Sequence, residues 1–217
     1  MAIYESIEGG NAALDLFCEK RETALPKLAF PLFLILAMGC VAGPRAAAQS
    51  VQARLPVCLA CHGQNGQSEN PGVPSLGAQQ AFYTTVQLLM FRERMRLVDP
   101  MNEMAKGLSD DDLHGFADAI AKLPAPKPAD GPVDAARMER ARALAEQNHC
   151  NVCHTPSFAG QENVPHIADQ REDYLVKALR GYKDNSRRGY DAAMADVVPQ
   201  LTDEQILDLA YYLARVK

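Results

Sequence analysis

The chain contains C-L-A-C-H at residues 58–62 and C-N-V-C-H at residues 150–154. Six cysteines and five histidines in 217 residues make even one chance copy improbable, and there are two. Each copy sets two thiols one helical turn apart, directly before an imidazole. In that spacing both sulfurs reach the two vinyl groups of a single haem, and the histidine turns a ring nitrogen to the iron, which is the attachment signature of haem c. The motifs therefore predict two haem c groups. Cys58, Cys61, Cys150 and Cys153 form the thioethers, and His62 and His154 are axial ligands. Two rivals fit worse. A zinc site wants its C-x-x-C pairs about 15–20 residues apart, whereas Cys61 and Cys150 are 89 apart. A redox dithiol wants alternating strands and helices, and no convincing strand pattern is present.

Six-coordinate iron needs a second axial ligand, and an internal repeat selects it. His62 and His154 are 92 residues apart; Pro74 and Pro165, Gln79 and Gln170, and Tyr83 and Tyr174 are each 91 apart. Met101 and Met194 are 93 apart, as are Leu108 and Leu201. In the first half Met90, Met95 and Met104 compete with Met101, but the second half offers Met194 in the matching loop, seven residues before Leu201. Met101 and Met194 are therefore expected on the irons, where a thioether favours the ferrous state and raises the potential. Pro74 and Pro165 are placed to offer a carbonyl to the proximal ring N–H, a bond that would fix the imidazole. Arg96 and Arg188, just upstream of the methionines, are candidates to pair with haem propionates. His114, His149 and His166 have no counterpart in the repeat and read as surface residues.

The elements that must position these groups are helical. Ser109 and Thr202 are N-cap candidates with Asp112 and Gln205 three residues on. Leu113, Phe116, Ala117 and Ile120 follow at helical spacing, as do Ile206, Leu209, Ala210 and Leu213. Asp134 can cap a helix bearing Met138, Ala141, Leu144 and Ala145, and Tyr174, Leu175, Ala178, Leu179 and Tyr182 form another stripe. Residues 123–133, with prolines at 124, 126, 128 and 132, read as a semi-rigid extended linker. The organisation expected is an N-terminal extension over 1–48, a haem domain over 49–129 and a second over 130–217.

Within 1–48, basic Lys27, an apolar run over 28–41 and Ala46, Ala47 and Ala48 have the layout of a secretory signal cleaved near Ala48. The run is short of the roughly 20 apolar residues a membrane span needs, and a retained anchor is the alternative. Residues 1–26 carry five acids and suit neither reading, which fits a start assigned upstream of the true one. Cleavage removes Cys18 and Cys40, leaves only the motif cysteines, and places the protein in the periplasm, where free thiols do not last. A net charge of -5 and a pI near 5.5 give no basic patch, which excludes a nucleic-acid partner.

With "PSLGAQQAFY", "DPMNEMAKGLSDDDL", "PHIADQREDYLVKALRGYKDNSR" and "MADVVPQLTDEQILDLAYYLA" around its two motifs, the chain resembles the two-haem class I cytochromes c, closest to the cytochrome c4 family. The resemblance covers residues 50–217. It implies an all-α fold of two tandem class I cytochrome c domains, each around one covalent haem with His and Met on iron. It also implies a periplasmic electron carrier between respiratory complexes or dehydrogenases and a terminal oxidase. Partners would then be redox proteins: a terminal oxidase, a membrane cytochrome complex or a dehydrogenase. Membrane association would follow only from a retained N-terminal segment. Three departures stand out. Few residues precede Cys58, so the first helix is short; Thr155 stands where a glycine usually follows the histidine; Asp169 replaces a small residue before Gln170. An enzymatic alternative is the cytochrome subunit of a dehydrogenase. A dihaem peroxidase needs an open sixth position, against which the matching Met loops argue, and a haem-based sensor would want an output domain.

Overall fold

Residues 50–187 and 192–216 are described by the computed structural model. The N-terminal extension over 1–48, with its expected signal, and the propionate candidate Arg188 lie outside them. Four helices come first: α1 Val51–His62, α2 Ala81–Arg92, α3 Met101–Ala105 and α4 Asp110–Ala121. Five follow: α5 Ala135–Gln147, α6 Cys150–His154, α7 Glu172–Lys183, α8 Ala193–Val197, which runs into a 3-10 turn Val198–Gln200, and α9 Asp203–Leu213. Among the described residues the only sheet-like pairing is one bridge between Gln161 and Val164.

Local sequence accounts for the helix starts. Ser109 and Thr202 each accept from the N3 amide, and Asp112 and Gln205 each return a bond to the cap amide. Both are complete capping boxes, so the shorter aspartate serves as well as the glutamine; a cap of this kind is worth about 1 kcal/mol. Asp134 caps α5 by accepting from Arg137 N–H. The apolar stripes of α4 and α9 face inward as their period requires: Leu113, Phe116, Ala117 and Ile120, and Ile206, Leu209, Ala210 and Leu213, are all buried.

Packing follows the repeat. α4 packs on α1 and α2, and α2 on α3; α9 packs on α5 and α7, while α6 lies against α5 and α8 against α7. The backbones of the two sets of helices stay apart, and the halves meet through loops and through side chains of α2 and α7 such as Tyr83 and Tyr174. Residues 123–133 carry no regular structure and are tied to both halves, through Ala78 N–H to Leu123 O at 3.0 Å and Ala129 N–H to Ala214 O at 2.8 Å. Each half has a small core. The second gathers Phe158, Leu175, Leu179, Val198, Leu201, Ile206 and Leu209 among its buried residues.

Candidate haem sites

α1 carries its C-x-x-C-H motif on its last turns, whereas α5 stops at Gln147 and the second motif forms its own short helix, α6. In both, the first cysteine (Cys58, Cys150) is half-buried and the second (Cys61, Cys153) exposed, and none is in a disulfide. Burial pushes the Cys58 and Cys150 thiols up, so neither is poised as a thiolate nucleophile.

The two histidines are equivalent in detail. His62 and His154 are 7% and 6% exposed. His62 Nδ1 lies 2.8 Å from Pro74 O, and His154 Nδ1 lies 3.0 Å from Pro165 O. A carbonyl only accepts, so Nδ1 carries the proton in both rings and Nε2 keeps its lone pair. Burial pushes both pKa values down, against the proline carbonyls that favour the charged ring. Neutral imidazole with a free Nε2, oriented through Nδ1, is the state a metal requires.

Met101 opens α3 and is half-buried; Met194, in α8, is half-buried against the second core. The competitors lie elsewhere: Met90 is 2% exposed in the first core, while Met95 and Met104 are 55% and 44% exposed. Asn102 fastens the Met101 loop, donating to Phe91 O and Arg96 O at 2.8 Å each and accepting from Val98 N–H at 2.7 Å. Its counterpart in the repeat is Ala195, which has no side chain to make those bonds.

The sequence comparison sets Arg96 against Arg188, but the backbone sets it against Arg187. Arg94 and Asn185 both have positive φ, 56° and 59°. Two residues on, Arg96 N–H and Arg187 N–H each bond the carbonyl six residues back, Met90 O at 3.1 Å and Gly181 O at 2.8 Å. The additional residues of the second Met loop therefore fall after Arg187. Arg187 reaches Tyr174 Oη and Tyr83 Oη, one from each half, at 3.1 Å each. Burial pushes the Tyr83 phenol up to about 12, so it stays neutral. At Tyr174 the charges of Arg187 and Arg96 outweigh burial, and its pKa falls to about 8. The Nε atoms of Arg96 and Arg187 are sealed from solvent without a partner. Among the described residues neither guanidinium has a carboxylate. Orphaned, positively charged donors where the halves meet fit the propionates of a haem, as the neutral histidines fit its iron and the paired thiols its vinyl carbons.

His166, expected at the surface, is half-buried between the halves, with Nδ1 3.3 Å from Ala78 O. Gln79 and Gln170, matched in the repeat but given no role from sequence, are buried there as well, at 8% and 5% exposed.

Two helical domains in tandem, each with a buried, Nδ1-protonated histidine beside a cysteine pair, define a dihaem class I c-type cytochrome. The family model described as Cytochrome c matches residues 138–217. A cytochrome c4 of Thiocapsa roseopersicina is 30% identical, over 72% of this chain and 85% of that protein. The thiosulfate dehydrogenase electron acceptor of Thiomonas intermedia is 33% identical, over 72% of this chain and 77% of that one. The crystal structure of reduced recombinant cytochrome c4 from Pseudomonas stutzeri matches with a TM-score of 0.69 and 26% identity, over 77% of this chain and 97% of that one. The chain belongs to the cytochrome c4 family. Its cofactors are two haem c groups, and it is a dihaem electron-transfer cytochrome.

Proposed function

We propose that this chain is a periplasmic electron carrier, taking electrons from respiratory complexes or dehydrogenases and delivering them to a terminal oxidase. The carrying observation is the equivalence of the two sites: each histidine is neutral, buried and fixed by a proline carbonyl. Bound haem supplies one-electron chemistry. The chain's own residues hold and insulate it. In this reading Cys58 and Cys61 anchor one haem and Cys150 and Cys153 the other. His62 and Met101 ligate the first iron and His154 and Met194 the second, while Arg96, Arg187 and Arg188 are the candidates to neutralise propionates. The haem domains run over 49–129 and 130–217, and the N-terminal extension 1–48 carries an export signal from Lys27 to about Ala48. Among the described residues no helix is long and apolar enough to cross a membrane.

A second reading, an electron-accepting subunit of a dehydrogenase, is favoured by the Thiomonas intermedia relative, whose name makes it the electron acceptor of a thiosulfate dehydrogenase. One assay separates the readings. The reduced protein is given to a terminal oxidase preparation and to hydrogen peroxide, and the oxidised protein to a thiosulfate dehydrogenase with thiosulfate. Rapid oxidation by the oxidase with negligible peroxide turnover supports the carrier. Reduction only by the dehydrogenase, with no oxidase activity, supports the subunit. Saturable peroxide reduction without another enzyme overturns both.

A further inference from the structure

Gln79 and Gln170 take the same place in the two halves, and each reaches into the other. The Gln170 amide accepts from Ser75 N–H and donates to Ser75 O, both at 2.8 Å. The Gln79 amide accepts from His166 N–H at 2.8 Å and donates to His166 O at 3.0 Å. Ser75 and His166 directly follow Pro74 and Pro165, the residues whose carbonyls hold His62 and His154. The Pro74 carbonyl and the Ser75 N–H belong to one peptide unit. That unit accepts from His62 on one side and donates to the opposite domain's glutamine on the other, and the unit joining Pro165 to His166 does the same for His154 and Gln79. Each glutamine oxygen also accepts the next residue's N–H, Gln80 or Arg171, at 3.0 Å, which aims the amide from the start of α2 or α7. Ser75 is 3% exposed, so solvent does not substitute for the glutamine.

We propose that Gln79 and Gln170 are positioning residues that set the donor strength of the axial histidine in the opposite domain, so that each haem's reduction potential is tuned across the domain interface. The inference rests on the reading that His62 and His154 bind iron. Donation from a peptide N–H polarises its carbonyl and makes it a better acceptor, a cooperative strengthening on the order of 10–30% per bond. A stronger acceptor draws the Nδ1 proton further from the ring and makes the ligand more basic. A more electron-rich ligand favours ferric iron and lowers the potential. The glutamine is uncharged, so the effect travels along the hydrogen-bonded chain rather than through a Coulomb field, and it is specific to one haem.

The test uses the dihaem protein with Gln170→Leu and Gln79→Leu, each followed by an NMR redox titration that reads the two haems separately. Gln170→Leu is expected to raise the midpoint of the first-domain haem and leave the second near its original value; Gln79→Leu is expected to do the reverse. In each variant the Nδ1–H proton of the crossed histidine should move upfield, and the amide of Ser75 or His166 should exchange faster. Equal shifts at both haems, or a shift confined to the glutamine's own domain, would overturn the proposal. Gln170→Glu keeps an acceptor for Ser75 N–H and covers the case in which leucine disrupts the interface. It must lower the first-domain midpoint and move the His62 Nδ1–H downfield, and an unmoved proton overturns the proposal as well. In the unmodified protein, absence of a haem-ligated Nδ1–H resonance sinks the axial-histidine reading itself. Its presence, with midpoints that do not respond to the variants, sinks only the cross-domain coupling.

Discussion

Gly63 and Thr155 occupy the same position in the two halves, directly after His62 and His154, and both have positive φ, 85° and 67°. With ψ of 143° and 159° they lie in a region that is essentially glycine's own. At Gly63 a Cβ would stand 1.9 Å from Gln67 O, so no side chain fits. At Thr155 a β-branched residue is held there by the surrounding loop, a strain of about 1–3 kcal/mol. Gly63→Ala should destabilise the first domain by several times what a surface substitution does, while Thr155→Gly should stabilise the second by about 1 kcal/mol after glycine's extra unfolded-state entropy is counted. Denaturant unfolding followed by circular dichroism reads both. A less stable Thr155→Gly protein would refute the strain.

The proposed axial methionines are testable by difference. Met101 is half-buried at the start of α3, three residues before the largely exposed Met104. Met101→Ala and Met194→Ala should each remove one haem's share of the near-infrared methionine-to-ferric band, and Met104→Ala should leave it intact. The reverse result for Met101 and Met104 would transfer the ligand to Met104.

Asp169 carries a pH dependence. It takes the place of Ala78, with φ of 54° against 50°, and its Oδ1 is sealed without a partner. Burial pushes its pKa from 3.8 up to about 6. The folded state therefore holds the proton more tightly than the unfolded chain, and its contribution to stability is full below the ordinary value and is lost as pH rises through 6. A shift of that size is worth about 3 kcal/mol undiscounted, and partial exposure of the side chain reduces it to about 1. Asp169→Asn, which also tolerates positive φ, should be the more stable protein at about pH 8 and lose that advantage at about pH 4. An advantage that persists in acid would assign the gain to backbone preference alone.

Covalent attachment and export are read together by mass. Protein from cells that export and assemble c-type cytochromes should, after denaturation, have the mass of a chain starting near Gln49 plus two haems. One haem, or an intact Met1, would overturn the corresponding part.

Association should respond to salt. The residues after Ala48 carry 22 acids against 18 bases before haem propionates are added. Redox encounters use small interfaces, and charge acts mainly on their association rate. Partner turnover is expected to change with ionic strength at constant pH, and a flat profile would point to an apolar docking patch.

Haem number and the course of most helices were legible in the sequence because each is encoded within a few residues. A C-x-x-C-H motif spans five residues and a capping box four, and an apolar stripe repeats every turn. Even the proline carbonyls, 12 and 11 residues past their histidines, follow from the loop each histidine opens. The contact between the halves was not legible, because its partners are far apart in the chain. Gln170 and Ser75 are 95 residues apart, and Arg187 and Tyr83 are 104 apart. The repeat disclosed that Gln79 and Gln170 match, but not that each turns outward to the other's proline loop. His166 read as a surface residue because its ring has no counterpart, yet its contact with Gln79 is made by its backbone, which residue type does not reveal. That Arg187 matches Arg96 was not legible either, because only the paired left-handed turns at Arg94 and Asn185 set the register. Local chemistry is written in neighbouring residues; the coupling of the two sites depends on how two loops meet, and that geometry exists only once both halves have folded.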